Sequence, residues 1–403
     1  MVIPEQLNVT IGMAYPLADL KVLDLSRVLA GPFAGRMLSD LGADVVKVEP
    51  PDGDVTRYWG RDIANIPGYF HQQNAGKRNI CLDLRAAGAV ELVNELVTQA
   101  DILIENYRPD VMARLGIGYE ALCAVNPRLV MLSISGFGHN GPESRRATYA
   151  PVVHAESGLI HRTTTRTEMP YHDLPLSVAD TNASLHGLVG LLAAVYMRER
   201  TGKGQHIDIA MIDATVATDD QMHYDLEASH ATGPLGNEIW ETAFGPVLLS
   251  TDFRLLFRLL TTSLDLKDPS TPDMDLPEKI KVRREAVGNF INKLDSREKF
   301  AEAMKQINIA WGEVRDPATM TEQTTIKARQ SIVQIDDRAG GTRPITQSPY
   351  RFSNAESGVK KPAAHRGEHN TEVLTQWLSK AEGEIQQLHE GGVLIFDPGW
   401  KHH

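Results

Sequence analysis

The cations of this chain and the loops near them are the first candidates for chemistry. Lys77, Arg78, Arg85, Arg108 and Arg114 fall close in sequence to four short segments, residues 26–31, 49–54, 105–109 and 135–141. Each segment follows an apolar run that reads as a strand, and open parallel sheets bind ligands beyond the carboxyl ends of their strands. Cations beside such loops suit a ligand that carries phosphate, although most exposed Lys and Arg are simply solvated. The sequence holds no Gly-x-x-x-x-Gly-Lys-Ser/Thr loop, no Gly-x-Ser-x-Gly elbow and no His-Glu-x-x-His pair, so nucleoside triphosphates lose ground. Its 14 His residues are scattered, and His154/His161 and His365/His369 lack the companions of a recognised metal site. No metal is expected.

The elements that position these loops follow from hydrophobic spacing. Residues 21–25, 43–48, 78–84, 101–104 and 128–134 read as strands, and the stretches between them at 30–41, 88–99 and 119–124 carry helical periodicity. Strands alternating with helices imply βαβ units and a mainly parallel sheet. The longest helical pattern runs from Val178 to Arg200, with Ala183, Gly187, Gly190 and Ala194 three or four apart. One face of that helix must therefore pack closely. It stops at Thr201-Gly-Lys-Gly204, where glycine suits a helix end, and a strand at 205–211 and a helix from about 213 follow. Beyond residue 231 glycines thin out, Asp, Lys, Thr and Pro cluster at 265–281, and helices are expected over 283–294 and 296–307. The expected organisation is a discontinuous large domain, 1–231 with 345–403, around a small α+β domain at 232–344. A single C-terminal helix is expected from 371 to 389.

The 403 residues carry 41 Lys+Arg against 52 Asp+Glu, a formal charge of −11, which makes nucleic acid a poor partner. With 42% hydrophobic and 23% charged residues, the composition is that of a globular protein. Cys81 and Cys123 alone give no disulfide framework. The most apolar stretch, 185–197, is shorter than the ~20 residues of a bilayer span, and the first twenty residues lack a basic leader segment. The reading is a cytoplasmic protein with no membrane partner.

Seven motifs then carry a resemblance. Val22-Leu-Asp-Leu-Ser-Arg-Val-Leu-Ala-Gly-Pro-Phe-Ala-Gly35, Asp40-Leu-Gly-Ala-Asp-Val-Val-Lys-Val-Glu-Pro-Pro51, Asn74-Ala-Gly-Lys-Arg78, Glu105-Asn-Tyr-Arg-Pro109, Ser133-Ile-Ser-Gly-Phe-Gly138, Ala179-Asp-Thr-Asn182 and Arg200-Thr-Gly-Lys-Gly-Gln205 run in one order. With Gly367-Glu-His-Asn-Thr-Glu372 near the end, the chain resembles the class III CoA-transferase family, also called CaiB/BaiF and including formyl-CoA transferase-like enzymes. The resemblance implies a Rossmann-like large domain and two ring-shaped subunits threaded into an interlocked homodimer. It implies no permanently bound cofactor, with an acyl-CoA donor and a small carboxylic acid acceptor as substrates.

By the same resemblance Asp180 is the nucleophile. Val28, Leu29 and Ala30 would lie along the thiol arm of CoA, Leu82 and Arg85 near the adenine and its phosphates, and Asn106, Tyr107 and Arg114 at the nucleotide and pyrophosphate. Tyr149 would lie near the aspartate. Placed where a long helix begins, Asp180 is expected to stay ionised through the helix dipole and free backbone N–H groups, and Asp there also suits a helix N-cap. Leu29 stands where some family members carry Gln, which weakens an assignment to formyl or oxalate substrates. Two alternatives stay open. An α-methylacyl-CoA racemase would need a His in a Gly-His-Asp motif, and here Tyr149 and Ala150 stand there, with His154 five residues on. A non-catalytic acyl-CoA-binding protein would keep the fold without the chemistry. The glycine-run loop that closes over the aspartate in oxalate-type members has no counterpart between Gly245 and Gly288.

Overall fold

A computed structural model describes residues 15–167, 170–229 and 236–396. Of these, 15–222 with 329–396 form one compact unit and 223–328 a second. The first unit opens with β1 (Lys21–Asp24), α1 (Ala30–Asp40) and β2 (Asp44–Glu49), then a small hairpin of β3 (Asp62–Ile63) and β4 (Ile66–Pro67). It continues through α2 (Gly68–Asn74), β5 (Arg78–Cys81), α3 (Ala89–Gln99), β6 (Ile102–Glu105), α4 (Val111–Arg114), α5 (Tyr119–Val125) and β7 (Val130–Ser135). After α6 (Ala150–Glu156) and α7 (Leu159–Thr167) come α8 (Val178–Thr201), β8 (Gln205–Ala210) and α9 (Met211–Ala217).

Six strands make one parallel sheet in the order β5-β2-β1-β6-β7-β8. Val22, Leu23, Ile102, Leu103 and Ile104 are fully buried, as expected of strands covered on both faces. The chain builds outward from β1 to β5, then returns to the other side of β1 with β6. The switch in winding therefore lies between β1 and β6, so the segments after these two strands flank the crevice where such sheets bind ligands. The run Gly136-Phe-Gly-His-Asn-Gly141 has the spacing of a dinucleotide turn and follows β7, but the chain passes through bends until α6 and opens no helix there.

Small residues let α8 lie close to the sheet. A Cβ on Gly187 would stand 3.1 Å from Leu132, and one on Gly190 would stand 3.2 Å from Ile207. The helix ends at Gly202 in the left-handed region, φ 72°, where glycine carries no Cβ penalty. At 24 residues α8 is long and apolar enough to cross a bilayer by length and composition, yet Ala183, Gly187, Leu191 and Ala194 are buried against its own unit.

The chain enters the second unit within α10 (Met222–Leu226). That unit holds β9 (Glu238–Thr242), β10 (Gly245–Leu249), α11 (Phe253–Ser263), α12 (Leu276–Lys293), α13 (Arg297–Gln306), β11 (Trp311–Glu313) and α14 (Thr324–Ala328), its three strands antiparallel in the order β11-β10-β9. A capping box at Asp275 and Glu278 starts α12. The first unit resumes with the hairpin β12 (Ile332–Asp336) and β13 (Thr342–Thr346), and closes with α15 (Asn370–Leu378) and α16 (Glu382–Glu390).

The expected division at 231/232 lies outside the described residues, and on this side the units divide earlier, at 222/223. At the other side the units divide at 328/329 rather than 344/345, because Ile335 and Ile345 of the hairpin pack with Ala75 of the first unit. The expected single C-terminal helix is two, broken where Ser379 turns left-handed at φ 57°, which lets Trp377 and Ile385 enter one core.

Gly35 in α1 stands over a buried ion pair, Lys77 Nζ to Asp24 Oδ2 at 2.7 Å. A Cβ there would lie 2.5 Å from that same Oδ2 and 3.1 Å from Nζ. Because parting a buried pair costs about 3–5 kcal/mol, Gly35→Ala is expected to lose about 2–5 kcal/mol in urea unfolding. An unchanged midpoint would show that the pair shifts aside at no cost.

Candidate functional site

The loop after β1 is built on buried charge. Asp24, Lys47, Glu49, Asp54, Arg57 and Lys77 are all almost fully buried. Lys47 pairs with Asp54 at 3.2 Å and donates to the Ser26 carbonyl at 2.8 Å, while Arg57 pairs with Glu49 at 2.5 Å. Burial alone would raise Asp24 and Asp54, but Lys77 and Lys47 hold Asp24 below the ordinary carboxylate range, and Lys47 with the Thr56 hydrogen bonds does the same for Asp54. Asp54 then accepts the Val28 N–H at 3.1 Å. Val28 has φ 68°, a conformation that costs a β-branched residue about 1–3 kcal/mol and needs such over-determined surroundings. On the other side Asn106 grips Arg27, its Oδ1 taking the Arg27 N–H at 2.7 Å and its Nδ2 donating to the Arg27 carbonyl at 2.8 Å.

Two helices start beside this loop and share a carboxylate. Ala30 is the first residue of α1, and its N–H favours the charged form of Asp180, the third residue of α8. Ser184 ties the same two helix starts together, its hydroxyl reaching the Ala30 carbonyl and, at 2.8 Å, the Asp180 carbonyl. Asp180 is therefore not the helix N-cap, a position that Ser177 occupies. Nor do the helix dipoles win: burial raises the Asp180 carboxyl to about 6, with the Ala30 hydrogen bond and the His154 ring opposing. Desolvation of the charged form outweighs two helix N-termini here.

Asp180 opens onto a cavity of about 620 Å³. Of the residues expected at the site, Val28, Leu29, Ala30, Asn106, Tyr107 and Tyr149 line it together with Asp180. Leu82, Arg85 and Arg114 do not. Leu82 is fully buried in the core with Leu394, Arg85 points outward in a pair with Asp83, and Arg114 is exposed on α4. Two further cations expected near phosphate are spent elsewhere, Lys77 on Asp24 and Arg78 on Asp44 and Glu372.

The cavity also has walls that the sequence reading missed. Trp59, from the segment between β2 and β3, and Tyr69, in the first turn of α2, stack edge to face at 5.2 Å on one side. The Tyr69 hydroxyl is pushed up to about 12 by burial and by the charges of Asp180 and Asp54, so it stays a neutral donor. Only the aromatic residues of a stretch without strong periodicity signalled them. Arg27, within the Val22–Gly35 motif, and Arg146 line the cavity as well.

His154 is buried on α6 with both ring nitrogens used. Its Nε2 accepts the Ala179 N–H at 3.1 Å, which puts the proton on Nδ1, facing Asp173 Oδ1 at 2.8 Å. It steadies the start of α8 and is not on the cavity wall. Tyr149, at the position of a racemase His, is largely exposed.

The motif order seen in the sequence is matched by comparison with known proteins: the model of CoA-transferase family III covers residues 17–370. The chain belongs to that family. A succinate–glutarate CoA-transferase of Agrobacterium fabrum is 32% identical over 385 residues, spanning 90% of this chain and 95% of its own. An acetyl-CoA:oxalate CoA-transferase of Acetobacter aceti is 43% identical over 203 residues, about half of each chain. Among solved structures, a CaiB/BaiF family protein from Brucella suis superposes with a TM-score of 0.76 at 29% identity, covering 90% of this chain and all of its own. As a family III member the chain is a CoA-transferase, and its α/β fold around a parallel sheet matches that neighbour.

The raised Asp180 carboxyl has a consequence for stability. Its folded-state value of about 6 lies above the ordinary 3.8, so the charge destabilises the fold at pH 7 and the penalty fades as the pH falls toward 4. Asp180→Asn is therefore expected to stabilise the protein by about 1–3 kcal/mol at pH 7 and by little near pH 4. Urea melts at the two pH values check this, and a mutant less stable at pH 7 would contradict it.

Proposed function

We infer that this protein moves CoA from an acyl-CoA thioester to a carboxylic acid through covalent intermediates on Asp180. The observation that carries the reading is a carboxylate opening onto a cavity at the sheet's switch point, with the Ala30 N–H favouring its charge and its acid strength reduced to about 6. Such a group is about nine-tenths ionised at pH 7 yet more basic than an ordinary aspartate, a combination that suits a nucleophile needing no separate base.

One oxygen of Asp180 attacks the thioester carbonyl, the C–S bond breaks, and CoA leaves as thiolate from a mixed anhydride. The thiolate then attacks the aspartyl carbonyl and expels the donor acid as carboxylate, leaving an aspartyl-CoA thioester. The acceptor carboxylate reverses the sequence and regenerates free Asp180. Acyl anhydrides hydrolyse in water, so the Trp59–Tyr69 wall and the apolar Val28–Ala30 segment serve by excluding it. The relatives' names point to succinyl-CoA with glutarate, and acetyl-CoA with oxalate, as the first substrates to assay. The reading includes a homodimer, supported by the apolar row Leu185, Val189, Leu192 and Tyr196 along α8, which this chain leaves exposed. Light scattering at twice the 44.5 kDa chain mass tests it, and a monomer would count against it.

Asp180→Ala is expected to lower transfer by ~10³-fold or more while CoA still binds. With wild type, kcat/KM should fall about tenfold per pH unit below about 6, because protonation removes the nucleophile. A rate indifferent to Asp180, or α-proton exchange from a 2-methylacyl-CoA in D2O, would favour a binding protein or a racemase instead.

A further inference from the structure

Two polar groups on the wall of the Asp180 cavity have no task in the reading above. Arg27 Nε and Ser135 Oγ are buried without a hydrogen-bond partner among the described residues, and both residues line that cavity. Ser135 is 7% exposed, at the carboxyl end of β7. Folded proteins rarely leave buried donors unpaired, and such groups mark places that await a ligand.

The other cations on the wall are differently placed. Arg146 pairs with Glu143 and Glu156, and Arg108 is exposed. Arg27 is partly buried, and among the described residues no acid pairs with it. Its backbone is gripped on both sides by the Asn106 amide, so the guanidinium extends from a fixed base and the side chain is not needed to hold the loop. Nor is Arg27 among the groups acting on Asp180, whose acidity answers to burial, Ala30 and His154. Its charge is therefore not spent on the nucleophile.

We propose that Arg27 and Ser135 form an oxyanion subsite of this cavity. It takes the charged oxygens of the substrate that do not react, either the far carboxylate of a dicarboxylic acyl group or a phosphate of the CoA moiety. A guanidinium presents a planar fork of N–H donors that matches either group, and the serine hydroxyl adds one more donor. The assignment rests on the reading of Asp180 as the reacting group only for what lies next to it in the cavity.

The test uses Arg27→Met, Arg27→Lys and Ser135→Ala, each first shown by thermal melting to be folded. Transfer is measured with a monocarboxylic pair, acetyl-CoA and propionate, and a dicarboxylic pair, succinyl-CoA and glutarate. Calorimetry measures binding of CoA and of 3′-dephospho-CoA. For a carboxylate in the subsite, Arg27→Met loses on the order of tenfold to hundredfold more kcat/KM with the dicarboxylic pair than with the other, Ser135→Ala loses less, and Arg27→Lys restores part. For a phosphate, both pairs suffer alike and CoA binding weakens by a similar factor, and 3′-dephospho-CoA shows whether the 3′-phosphate is the group held. Folded Arg27→Met and Ser135→Ala proteins whose rates and CoA affinity all stay within about twofold of wild type would overturn the proposal. Should Asp180→Ala transfer CoA as fast as wild type, the reading of Asp180 fails, while calorimetry with CoA and succinate still decides whether Arg27 and Ser135 bind an anion.

Discussion

The structure depends on the Lys47–Asp54 ion pair and the charges buried around it at the carboxyl ends of β1 and β2. Burying ions is costly, and a pair repays that cost only when its remaining hydrogen bonds are made. Here they are made to one loop: Lys47 holds the Ser26 carbonyl and Asp54 the Val28 N–H. The network fixes a left-handed β-branched residue next to the catalytic candidate, a conformation the loop would leave if either anchor were lost. The start of α1 follows from that turn, and the Ala30 N–H reaches Asp180 because of it.

That arrangement sets two opposing effects on one carboxylate. Helix N-termini and the Ala30 N–H favour the anion, whereas a partly buried position beside apolar loop residues and an aromatic pair disfavours it. The balance lies on the side of burial, at about 6. This compromise is useful for acyl transfer. A fully solvated aspartate is a weak nucleophile, and one raised much further would be protonated at neutral pH. Tyr69, held neutral by the same burial, can donate a hydrogen bond but adds no charge.

The sheet was legible because buried parallel strands are nearly continuous apolar runs, as in Ile102-Leu-Ile104 and Val130-Met-Leu132. The packing face of α8 was legible from its spaced glycines and alanines. Asp180 and the Val28–Ala30 segment could be located only through ordered motifs, since an aspartate near a helix start is common for unrelated reasons. What the sequence hid was the fate of individual charges. Lys77 and Arg78 looked like phosphate ligands, yet partners as distant in the chain as Asp24 and Glu372 claim them. Arg27 looked no different from its neighbours, and only the folded arrangement leaves its Nε without a partner among the described residues. The direction of the Asp180 shift was hidden for the same reason, because burial comes from residues far apart in sequence.

The most direct test of the account is peptide mapping by mass spectrometry after incubation with succinyl-CoA and other acyl-CoAs in the presence of hydroxylamine. The account predicts a hydroxamate on the peptide carrying Asp180, formed only with a donor thioester and absent from Asp180→Ala. Active transfer with no label at Asp180, or an equal label in the mutant, would contradict it.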